Sequence, residues 1–63
     1  DRPGLLYQIA RVLTQHGIGV QLAKISTMGE RVEDTFLIEG QALHIPTLRA
    51  QLEQDLFEAI AGE

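Results

Sequence analysis

The spacing of apolar residues changes period inside this short chain, and that change restricts its fold more than any other feature. Leu6, Ile9, Ala10 and Leu13 recur at i, i+3, i+4 and i+7, with Leu5 and Val12 widening the stripe while Gln8, Arg11 and Gln15 lie off it. That spacing predicts an amphipathic helix. Pro3, with its fixed φ and missing N–H, suits the first turn, Asp1 is placed to accept bonds from free amides, and Gly17 ends the run. From Ile18 the period becomes two. Ile18, Val20 and Leu22 are apolar at even positions, then Ala23, Ile25 and Thr27 take over at odd ones, so the strand changes register near Leu22-Ala23. Such a switch calls for a β-bulge or a strand covered on both faces.

Met28-Gly29-Glu30-Arg31 reads as a hairpin turn, and a second strand runs from Val32 to Ile38. Val32, Phe36 and Ile38 share one face and Glu33, Thr35 and Leu37 the other; Asp34 interrupts the apolar face, as a strand-end position would. Glu39-Gly40-Gln41 forms a loop. Pro46-Thr47 then opens a second helix in which Leu48, Leu52, Leu56, Ala59 and Ile60 repeat at helical spacing, Arg49, Glu53 and Glu58 face water, and Gly62 stops the run.

Two strands backed by two helices make too narrow a sheet to cover both apolar stripes. A further strand is therefore expected before residue 1, giving most of a split β-α-β-β-α-β ferredoxin-like arrangement of the α+β class, with no final strand in the sequence. The expected unit is one domain over residues 1–63, shortened at its amino terminus and belonging to something larger, since a chain of this length buries only about 60% of its unfolded surface.

Five basic against nine acidic residues give a net charge of −4 and no clustered cationic face, which argues against nucleic acid. Tyr7, Phe36 and Phe57 are too dispersed for a stacking platform. No apolar run approaches the roughly 20 residues that span a bilayer, so no membrane partner is expected. The absence of cysteine removes thiolate metal sites and thiol catalysis and fits a reducing cytoplasm.

Catalytic patterns are missing as well. Ser26 has no histidine and acid at readable spacing, and His16 and His44 are separated by the whole hairpin. His16, in the last turn of the first helix, would complement the helix dipole if charged. Glu30, Glu33 and Asp34 read as a solvated hairpin tip paired with Arg31 rather than a Mg²⁺ or acid–base cluster. No catalytic residue, metal ligand or cofactor is assigned to the chain.

The segment with chemistry to offer is Asp1-Arg2-Pro3-Gly4-Leu5-Leu6. A helix start presents unpaired amides and the positive end of the dipole, where a carboxylate binds, and Gly4 lets a ligand approach the main chain. The same residues would equally serve as an ordinary cap and a tight entry into the helix.

Asp1-Arg2-Pro3-Gly4-Leu5-Leu6, the amphipathic helix after it, His16-Gly17-Ile18 and the hairpin together resemble the ACT domain, whose start has the form Asp-x-x-Gly-Leu. Residues 23–38, with the string Gly29-Glu30-Arg31-Val32-Glu33-Asp34, are most similar to the ACT domain at the carboxyl terminus of bifunctional uridylyltransferase/uridylyl-removing enzymes. The resemblance runs from Asp1 to about Ile60. It implies a regulatory module that binds an amino acid, glutamine in that family, between the loop of residues 1–6 and the start of the strand after the first helix, Ile18 to Gln21. Asp1, Gly4, Leu5, Leu6, Gly19, Val20 and Gln21 are the implied ligand-binding residues, often brought together across a subunit or domain interface. Many amino-acid-binding members carry Asn where Gly19 stands, so either a paired domain supplies that contact or this copy is a ligand-free dimerisation and interdomain module. The implied partners are another ACT domain or subunit, the catalytic domains of the parent and, through them, the nitrogen-regulatory PII protein. Mg²⁺ is expected only in those catalytic domains, and a cytoplasmic location is expected from the absence of cysteine.

Overall fold

A computed structural model of the protein describes residues 4–62. Helix α1 spans Leu5–Gln15, strands β1 (Gly19–Met28) and β2 (Arg31–Glu39) form an antiparallel hairpin, a single 3₁₀ turn covers Gln41–His44, and helix α2 spans Pro46–Ala61. The order helix, strand, strand, helix is the one expected from the change in period. The caps assigned to Asp1 and Pro3 lie outside the described residues.

The exit from α1 organises everything after it. Gly17 takes a left-handed φ of 71°, donating from its amide to the Thr14 carbonyl (3.0 Å), while the Ile18 amide reaches the Leu13 carbonyl (2.8 Å). Those two bonds are a Schellman closure, in which the residue after the glycine folds back onto the third residue from the helix end. Here that pair is Ile18 and Leu13, both fully buried. Glycine is needed because an L-residue loses roughly 1–2 kcal/mol in the left-handed region.

Leu13, Ile18, Ala42 and Leu52 are the buried apolar residues among those described, with Ile9, Val12, Ile38, Leu43 and Leu56 packed around them. The core therefore joins the two helices, the strand entry and the 3₁₀ turn. Ala10, expected on the α1 stripe, is exposed, because the inward face is centred on Ile9, Val12 and Leu13. On α2 the inward positions are Leu52, Asp55, Leu56 and Ala59, whereas Leu48 and Ile60 remain about half exposed. Helical spacing marks which residues share a side, and the partner's length decides which of them are covered.

The expected loop at Glu39-Gly40-Gln41 is shorter than the sequence suggests. Glu39 still pairs in β2, and the 3₁₀ turn begins at Gln41 to seat Ala42 in the core. Gly40 sits so close to the α1 exit that a Cβ there would lie 2.5 Å from Ile18 Cδ1, 3.1 Å from the Gly17 carbonyl oxygen and 3.2 Å from Ile18 Cα. The requirement for glycine at this position is one of space rather than backbone angle.

In the hairpin the register shifts between Val20 and Leu22, so the bulge falls at Gln21, slightly ahead of the expected Leu22-Ala23. Residues directly opposite one another share a face. Val20, Ala23, Ile25 and Thr27 thus oppose Ile38, Phe36, Asp34 and Val32 on the side that reaches the core through Ile38. Leu22 opposes Leu37 on the other side, and both are about 60% exposed. Asp34 is not at a strand end; it pairs with Ile25 in the middle of β2, where it is solvated. The two-residue turn places Gly29 at φ 68° and keeps Glu30 out of the left-handed region, the pattern of a type II′ hairpin.

Two substitutions test this architecture. Leu52→Ala removes the most buried side chain and is expected to destabilise the domain by about 2–5 kcal/mol, enough to unfold much of so small a protein. Gly17→Ala should lose roughly 1–2 kcal/mol through backbone strain alone, because nothing lies within 4 Å of the added Cβ. Thermal melts followed by circular dichroism check both, at roughly 4–8 °C for each kcal/mol.

Candidate functional site

Gly4 begins α1 with φ 81° and ψ −3°, and the first helical bond runs from the Gln8 amide to the Gly4 carbonyl at 3.0 Å. The amides of Leu5, Leu6 and Tyr7 precede that bond and have no partner inside the helix. No side-chain cap meets them among the described residues, and the first turn carries no acidic residue. Among the described residues these donors meet no side-chain acceptor, and the positive end of the helix dipole there suits a carboxylate. Gly4 serves it in a way the sequence did not announce: its left-handed backbone turns the chain into the helix, and space around its missing Cβ is open.

The other half of the expected site leaves from the opposite end of the same helix. Gly19, Val20 and Gln21 open β1, two to four residues past the Gly17 turn. An eleven-residue helix separates the ends by about 16 Å. Leu5 and Leu6 are half-buried, whereas Gly19, Val20 and Gln21 are exposed. The bulge re-aims Gln21 out of the regular ladder, as bulges beside binding sites commonly do. A Cβ on Gly19 would meet nothing nearer than the Glu39 carbonyl oxygen at 3.8 Å and the Gln21 amide nitrogen at 4.0 Å, so a side chain fits there. Asp1 lies outside the described residues.

Neither of two open surface hollows coincides with these positions. One, of about 500 Å³, is lined by Leu43, His44, Pro46, Arg49, Ala50 and Glu53; the other, of about 330 Å³, is bordered by Tyr7, Ala10, Arg11, Thr14 and Gln15. Among the described residues no three His, Asp or Glu side chains gather as a metal site. Arg31 Nη2 approaches Glu33 Oε2 at 3.4 Å with both side chains in solvent, the exposed pairing expected at the hairpin tip.

His16 has a partner that spacing could not reveal. It caps the carboxyl end of α1 and points its Nε2 at Asp55 Oδ2 of α2, 2.7 Å away and 39 residues distant in sequence. The bond ties the two helices together from a residue that still stands at the carboxyl end of α1. Asp55 Oδ1 also accepts from Gln51 Nε2 at 3.0 Å. The hydrogen bond from His16, then that from Gln51, hold the Asp55 carboxyl below its ordinary value of 3.8.

Among the described residues no helix is long and apolar enough to cross a membrane. No solved structure matches the chain. It is 59% identical over 61 residues to the bifunctional uridylyltransferase/uridylyl-removing enzyme of Burkholderia vietnamiensis, covering 97% of the chain and 7% of that protein. The enzyme of the same name from Burkholderia orbicola is 61% identical over 61 residues, with the same shares covered. That of Bordetella pertussis is 51% identical over all 63 residues, again 7% of its length. The chain thus spans about 7% of these relatives.

A depressed carboxyl value means that the Asp55 contribution to stability is complete above the ordinary 3.8 and is lost as pH falls through the lower folded value. Melting midpoints measured between pH 6 and pH 2.5 should therefore fall at the acid end in the parent sequence, and fall less in Asp55→Asn. The helix start, the bulged strand opening and the hairpin all lie within the stretch that the ACT domain family model matches, residues 1–57, and the chain belongs to the ACT domain family.

Proposed function

We propose that this domain is the glutamine-sensing regulatory module of a bifunctional uridylyltransferase/uridylyl-removing enzyme of nitrogen regulation. The observation that carries the reading is the 51–61% identity, over essentially the whole chain, to proteins of that name. In this reading the chain itself catalyses nothing. The nucleotidyltransferase and hydrolase centres, with their Mg²⁺, belong to other domains of a cytoplasmic parent that modifies PII, and this module biases one activity against the other.

The amides of Leu5 and Leu6 beside Gly4 receive the ligand carboxylate, Asp1 orders the loop or meets the ammonium group, and Gly19, Val20 and Gln21 form the opposite wall. Because these two sets leave opposite ends of α1, a complete site needs Gly4 to Leu6 from one copy and Gly19 to Gln21 from another. A neighbouring ACT domain or subunit is the natural source. A strand upstream of Gly4 would add to the free edge of β2, completing the split arrangement in which β2 lies between two parallel strands.

The second reading is an interaction module that relays geometry without binding ligand. It is favoured by the separation of the two half-sites within one chain and by the absence of a side chain at Gly19. Coupling of 1–3 kcal/mol between ligand and parent is all a sensor requires.

Calorimetry and thermal melts with L-glutamine, using other amino acids as controls, separate the two readings when applied to this chain and to a form extended upstream by one strand. Ligand at about 100 times its dissociation constant adds about 2.7 kcal/mol, a midpoint shift on the order of 10–20 °C for a domain this small. Gly19→Asn restores the family's amide at a position with room for it and is expected to tighten glutamine binding. A flat response to glutamine in both folded forms, unaltered by Gly19→Asn, leaves the interaction module as the function.

A further inference from the structure

The polar chain that joins the two helices ends beside the strand opening. Asp55 has both carboxylate oxygens engaged: Oδ1 accepts from Gln51 Nε2, one turn earlier on its own helix, at 3.0 Å, and Oδ2 meets His16 Nε2 at 2.7 Å. Two bonds in different directions fix the plane of the carboxylate. The His16 and Asp55 side chains are 18% and 35% exposed, so water competes weakly for the link. The Arg49–Glu53 pair, by contrast, stays within α2 and lies in open solvent, where little rests on it.

Hydrophobic contact is non-directional. Leu13, Ile18 and Leu52 hold α1 and its exit against α2, but burial alone sets the register of one helix on the other only loosely. A bond of fixed length and direction between residues 39 apart in sequence sets it firmly. The His16 backbone has no slack with which to absorb a movement. Its amide meets the Val12 and Leu13 carbonyls, both at 3.2 Å, and the Gly17 and Ile18 amides close the same turn. Gly19, where β1 begins, lies three peptide units further on, at most about 11 Å away. Beyond the turn the strand opening is exposed, and its ladder to β2 shifts register at Gln21.

We propose that His16 and Asp55 are positioning residues for amino-acid binding: their bond holds the exit of α1, and with it the wall formed by Gly19, Val20 and Gln21, in one register on α2. The proposal rests on the assignment of that wall to the ligand site. Neither side chain touches the ligand. Linkage is reciprocal, so whatever the bond adds to ligand affinity, the ligand returns to the seating of α2, which gives occupancy a route away from the site.

Calorimetric titration of L-glutamine into the full-length parent tests this, at a temperature well below every variant's melting midpoint. His16→Ala and Asp55→Ala are each expected to weaken binding roughly five- to a hundredfold, and the double variant no further than either alone. His16→Gln, whose amide nitrogen can take the place of Nε2, should recover most of the loss. Ile9→Val thins the core away from the His16 turn and is the stability control, expected to leave affinity unchanged. Without ligand, hydrogen exchange read by mass spectrometry should quicken at residues 17–22 in both alanine variants, return in His16→Gln, and stay unchanged at the hairpin tip. Unaltered affinity in the alanine variants, an equal loss in Ile9→Val, or unaltered exchange at residues 17–22 overturns the proposal. Absence of glutamine binding by the unmodified parent instead overturns the sensor reading, and the exchange rates, which need no ligand, still decide whether the bond positions the strand opening.

Discussion

Everything in this domain hangs on the contact between Leu13 and Ile18 across the Gly17 turn. The Schellman bonds satisfy carbonyls at the end of α1 and at the same time press the first residue after the helix against its last buried leucine. That closure fixes where β1 starts and hence where the hairpin projects. Gly40 then passes close to the same corner, bringing Ala42 and α2 onto it, and Leu52 seals the assembly at 1% exposure. With so few buried residues, each carries a large share of a stability that is marginal in any domain of this size.

The concentration of packing at one corner has a functional counterpart. The hairpin extends away from the core with Leu22, Ile25, Met28 and Leu37 more than half exposed. Contiguous apolar surface of this kind is what commonly marks contact with further protein. The single cross-helix polar link among the described residues, His16 to Asp55, sits at the rim of the core, where it orients α2 against α1 without placing an unpaired charge inside.

The candidate site was legible in unequal parts. The open amides at the start of α1 were readable because a helix start leaves donors unpaired wherever it occurs. The bulge beside Gln21 was readable as a change of apolar parity but not to the residue, since parity changes identically wherever the extra residue is inserted. That Gly4 is required by its backbone, and that the two half-sites sit at opposite ends of α1, could not be read from spacing. Both depend on how the helix is entered and left. The outward Phe57 was visible in the sequence only as an isolated aromatic, because its exposure rests on which side of α2 the core has claimed.

The order of elements, the end of α1, both ends of α2, the hairpin turn at Gly29 and the α+β class were written in the sequence alone. These follow from local periodicity and from glycine and proline chemistry, which act over three or four residues and need no partner. Tertiary structure decided that Ala10, Leu48 and Ile60 stay in water, that Ala42 enters the core, that Asp34 sits in mid-strand and that His16 reaches Asp55. Each of those outcomes is set by which surfaces meet when segments tens of residues apart are packed together, and no local pattern encodes the length or placement of the partner that does the covering.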